Sequence, residues 1–79
     1  MDDNTKRLIA ELNGAKQMAL YWSNKDNEVA VSNWVTRVVT LQGQLAHEMS
    51  RLRAFAQKQS DSKVAHNCFL TAEEIYKVL

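Results

Sequence analysis

Val31, Val35, Val38, Gln42, Leu45, Met49, Leu52 and Ala56 follow one another at alternating steps of four and three residues. A helical turn of about 3.6 residues brings such positions round to one side, so the row is one face of a single long helix. Trp34, Leu41 and Phe55 stand beside it at multiples of seven. The apolar stripe is therefore wider than a two-position seam and suits the core of a bundle. At the usual rise, a helix over about residues 27–59 would be roughly 45 to 50 Å long. The rest of the chain has to cover it.

Two flanking segments are available for that. Asp2, Asp3 and Asn4 offer caps and negative charge at the head of a first helix over about 4–22, whose inner row is Leu8, Leu12, Ala15, Ala19 and Trp22. Gly14 lies beside the two alanines, which suggests close approach of the next helix there. Ser23 to Asn27 contains no apolar residue and has strong turn chemistry; so short a connection predicts an antiparallel helical hairpin. Gln57 to Lys63 is a second polar link. Val64 to Leu70 reads as irregular, the alternative being a helical turn started by Ser60 or Asp61, and Thr71 with Glu74 reads as a capping box that opens a short third helix over about 71–79. That helix would dock on the half of the long helix that the first cannot reach. Gly43, inside the long helix, is expected to be tolerated on an exposed side or to bend it. Gln42 falls on the apolar row and would need a hydrogen-bond partner, within the chain or across a dimer.

A chain of 79 residues is one domain near the lower size limit for independent folding, and its core should supply only about 3 to 5 kcal/mol. Cys68 is the single cysteine. No intrachain disulfide can help, and one thiol suits a reducing compartment. Proline is absent and glycine occurs twice, which disfavours tight hairpins and makes an all-α fold the economical reading. No run approaches the ~18 apolar residues of a membrane span, and the acidic start is unlike a secretory signal. The expectation is a cytoplasmic protein with no membrane partner.

Little in the sequence points to catalysis. His47, His66 and Cys68 could form a metal or Cys-His site only if the fold brought them together, and their spacing matches no metal motif. No phosphate loop, nucleophile elbow or paired-carboxylate motif occurs. The expectation is a non-enzymatic chain with no cofactor and no metal. Arg37, Arg51, Arg53, Lys58 and Lys63 are the nearest thing to a nucleic-acid-binding patch, but ten basic against nine acidic side chains leave a net charge of only +1.

Together these features predict an antiparallel helical hairpin with a long central helix and a short C-terminal helix, completed as a bundle by dimerisation. The excess apolar face predicts a protein-interaction module: an adaptor, regulator or inhibitor of the kind phages and mobile elements encode. Trp22, Trp34, Met49, Leu52, Phe55 and Tyr76 are the expected partner-binding residues, because large apolar and aromatic side chains dominate protein interfaces. A nucleic-acid-binding regulator using the basic patch is the alternative.

Overall fold

The computed structural model describes residues 3–79 and is all-helical, with no strand among them. Asp2, one of the expected caps, lies outside the described residues. Helix α1 spans Asp3–Asn24, α2 Glu28–Lys58 and α3 Ser62–Val78. The molecule measures 52 × 17 × 14 Å, and its long dimension is set by α2, which at 31 residues is about 46 Å of helix.

The first turn joins two capping devices. The Asn27 amide donates to the Trp22 carbonyl at 3.2 Å and the Asp26 amide to that of Ser23 at 3.1 Å. These are the paired bonds of a Schellman ending, in which the residue after the cap turns left-handed. Asp26 occupies that position with φ of 55°, where glycine is usual and aspartate is tolerated at some cost. One residue on, the Asn27 side chain accepts from the Ala30 amide at 3.1 Å and caps α2.

The third helix departs from the sequence expectation. It begins at Ser62, nine residues before Thr71, because the Asp61 carboxylate accepts from the amides of Lys63 and Val64 at 2.9 and 3.4 Å. Thr71 is no cap: its hydroxyl donates to the Asn67 carbonyl one turn back, at 3.0 Å. The apparent capping box is the interior of a helix whose inner row is Ala65, Cys68, Ala72 and Ile75, again at steps of three and four.

Each flanking helix covers a different part of α2. Near the start of α1, Asn4, Arg7 and Leu8 lie beside Thr40, Gly43, Gln44, His47 and Glu48, and further along Glu11 reaches Arg37. Along the same middle stretch of α2, the Gln42 side-chain amide donates to the Leu79 carbonyl at the end of α3, at 3.2 Å. Lys16 links the two flanking helices by donating to the Val78 carbonyl at 2.8 Å. Where all three helices overlap, Leu12, Leu41, Leu45 and Ile75 are fully buried. Thr5, three residues before Leu8, extends the inner row of α1 into the same region and is also buried. Leu52 and Ala56, beyond the start of α1, are buried too, with Cys68 and Met49 packed around the same core.

Both glycines lie within unbroken helix. A Cβ built on Gly14 or Gly43 would meet nothing within 4 Å. Close packing at Gly14 is therefore not the arrangement adopted, and α2 runs through Gly43 without a break.

The caps give two stability predictions. Asp26→Gly should raise the free energy of unfolding by about 0.5 to 1 kcal/mol, since the left-handed turn then carries no Cβ penalty. Asp61→Ala should lower it by about 1 kcal/mol, with Thr71→Ala costing less than half as much. Urea titrations followed by circular dichroism measure both, and a larger loss at Thr71 than at Asp61 would contradict the capping assignment.

Candidate interaction surface

Because α3 is longer than the sequence implied, it covers more of the second half of α2 than a helix over about 71–79 would, including residues expected to meet a partner. Leu52 is taken into the core with 9% of its surface accessible, and Met49 packs against that core half-buried. Neither offers a free anchor to another molecule. Phe55, expected both in the second apolar row and as a partner-binding residue, is 46% exposed.

The uncovered apolar surface of α2 lies towards its N-terminus. In the row that begins with Val31 and ends with Ala56, α3 stops beside Gln42, and the members before that point have no third helix over them. Val35, expected in the core, is 46% exposed, and Val39 beside it is 61% exposed. Val31 and Val38 are half-buried. Val31, Val35 and Val39 are successive i, i+4 positions, so they form one ridge on the helix surface. Ser32 and Val38 flank it, and no charged residue shares this face between Glu28 and Gln42. Beside the ridge an open groove of about 440 Å³ is lined by Ser23, Asp26, Asn27, Glu28, Val31, Ser32 and Val35.

Valine is also a costly choice here. Its branched Cβ restricts χ1 in a helix, so on an exposed site alanine or leucine would favour the helix more. Thr36 and Thr40, equally β-branched, return their hydroxyls to the carbonyls of Ser32 and Thr36 at 2.9 and 3.0 Å. The segment trades helix propensity for a smooth apolar surface.

The aromatic candidates are dispersed. Trp34 is half-buried against the core, whereas Trp22 stacks edge-to-face with Tyr21, ring centroids 5.1 Å apart. The Lys25 ammonium stands 5.7 Å from the Tyr21 ring centroid. Tyr76 is 66% exposed on α3, one heptad from exposed Phe69, with the charged Glu73 between them in sequence. This second patch is narrower and more interrupted than the valine ridge.

The basic residues are partly committed. Arg37 pairs with Glu11 at 3.0 Å across the two helices. Arg51 grips Glu48 through two hydrogen bonds of 3.0 and 2.7 Å. Arg53, Lys58 and Lys63 are exposed near the second turn. His47 lies on the α1–α2 groove, His66 is exposed on α3, and Cys68 is half-buried. Among the described residues no three His, Cys, Asp or Glu side chains group so that they could hold a metal ion, and no helix is long and apolar enough to cross a membrane.

No known protein family, curated protein or solved structure matches the chain.

If the ridge serves contact with another molecule, trimming it should not weaken the isolated fold. Val35→Ala, measured by denaturation in dilute solution, should leave stability unchanged or raise it by up to about 0.5 kcal/mol. Leu45→Ala should lower it by about 2 to 5 kcal/mol. A loss above about 1.5 kcal/mol at Val35 would show that the ridge belongs to the core.

Proposed function

We propose that this chain is a small non-enzymatic protein that acts by binding another protein through the uncovered apolar face of α2. One observation carries the reading: the ridge Val31, Val35 and Val39 is apolar, uncharged on its face and left open where α3 ends. Burying such a ridge against another helix would release ordered water and provide the non-directional attraction that drives most protein association. In this reading α1 and α2 form an antiparallel hairpin, α3 completes the core on the far half of α2, and the near half is the working surface. The protein is an adaptor, regulator or inhibitor of the cytoplasm, where Cys68, the single thiol, would stay reduced.

Nucleic-acid binding is less well supported. Arg37 and Arg51 are engaged by Glu11 and Glu48, and a phosphate would have to displace those carboxylates. The net charge of +1 supplies little long-range attraction.

The test is affinity capture from a lysate of the encoding organism, with three baits. The wild type and a charge-reversed Arg53→Glu/Lys58→Glu/Lys63→Glu variant should retain the same protein. A Val35→Lys/Val39→Lys variant of unchanged helicity should lose it. Retention by the valine variant would overturn the reading, and salt-sensitive nucleic acid lost only with the charge variant would favour the alternative.

A further inference from the structure

On the side of α2 turned away from the valine ridge, α1 and α2 leave a groove of about 610 Å³ between them. Gln44, nine residues on from Val35, stands about 180° round the helix from it. Asn4 and Arg7 wall the groove from α1, and Gln44 and His47 wall it from α2. Leu8, with 7% of its surface accessible, lies beneath them beside Gly43.

Nothing inside the chain accounts for that glycine. Glycine is the least favourable residue after proline for a helix interior, yet α2 takes no positive φ at Gly43 and a Cβ there would meet no atom within 4 Å. An alanine would make a firmer helix without a clash. What it would remove is open space at the groove, where a bare backbone lets a bound molecule come close.

The walls present hydrogen-bond donors with little to hold. The Arg7 guanidinium gives a hydrogen bond to the Asn4 side-chain oxygen, a neutral acceptor, at 2.8 Å. Among the described residues no carboxylate pairs with Arg7, whereas Arg37 and Arg51 are engaged by Glu11 and Glu48. Most of its five-donor fork faces solvent. The Gln44 amide and the His47 ring add N–H groups from the opposite wall. Glu48 also borders the groove, but it takes two hydrogen bonds from Arg51, at 3.0 and 2.7 Å, which neutralise it.

We infer that this groove binds a small phosphate monoester. An arginine fork with further donors facing it from a second helix suits a tetrahedral oxyanion, whose oxygens diverge, better than a flat carboxylate. The organic part of the ester lies over Leu8 and the bare backbone of Gly43. The volume falls within the ~300 to 1,000 Å³ of small-molecule sites. Because the groove and the valine ridge occupy opposite sides of α2, this site stands or falls independently of the protein-binding role proposed above.

The test is a chemical-shift titration of the isotope-labelled full chain with phenyl phosphate and with inorganic phosphate, each against sodium chloride at equal ionic strength. Phenyl phosphate should shift the amides of Gly43, Gln44 and His47 saturably, and half-saturation by inorganic phosphate should need at least about threefold more, since it has no group to cover Leu8. Arg7→Gln should weaken phenyl phosphate at least about tenfold. Gly43→Ala should raise the urea midpoint, and Gly43→Leu, with unchanged helical circular dichroism, should abolish the shifts; a glycine needed only for packing would give the opposite change in midpoint. Equal half-saturation by the two phosphates would overturn the ester as ligand and leave inorganic phosphate in its place. The site itself is overturned if chloride produces the same shifts, if the perturbed amides gather at Arg53, Lys58 and Lys63 instead, or if neither Arg7→Gln nor Gly43→Leu alters the titration.

Discussion

The fold depends on a mismatch of helix lengths. At 31 residues α2 is longer than α1 at 22 or α3 at 17, so neither neighbour can shelter it alone. The two flanking helices instead overlap only around its middle, where Leu12, Leu41, Leu45 and Ile75 are fully buried. Hydrophobic burial is strongest where a side chain has neighbours on every side, so most of the chain's cohesion lies in this short central section. Towards either end the molecule thins to two helices, and apolar side chains there are covered on one flank only. Phe55 at one end and Val35 at the other are the two results of the same shortage.

Much of this architecture was legible in the residues. The long alternating row located α2 to within a residue or two, because only helical spacing accounts for it. Asn27 and the polar run before it located the first turn, because side-chain caps and the left-handed tolerance of aspartate are local effects. The third helix was harder to read. Thr71 and Glu74 have capping-box spacing, yet a capping box needs a chain that is not already helical before it. The competing cap, Asp61, sits in a polar link, followed by a row in which small residues, Ala65, Cys68 and Ala72, stand where larger apolar ones usually mark a helix face.

The location of the interaction surface followed from that one difference. A short third helix would have left Met49 and Leu52 open, whereas a long one absorbs them and moves the opening to the valines. Trp22, Trp34 and Tyr76 attract notice in a sequence because large aromatics dominate interfaces, but they do not form one continuous surface here. The valine ridge was visible as part of the apolar row. Which part of the row stays open depends on how α3 lies along α2, and that is a tertiary property, seen in the bond from Gln42 to the Leu79 carbonyl.

The bond from Lys16 to the Val78 carbonyl is a direct polar tie between the first and last helices. With so little joining them, each end of the rod can peel from α2 while the middle holds. Backbone amides near Leu41 and Leu45 should therefore exchange with solvent deuterium only on global unfolding, whereas those flanking the two turns exchange through smaller, independent openings. The chain would behave as two loosely joined cooperative units clasping one shared spine.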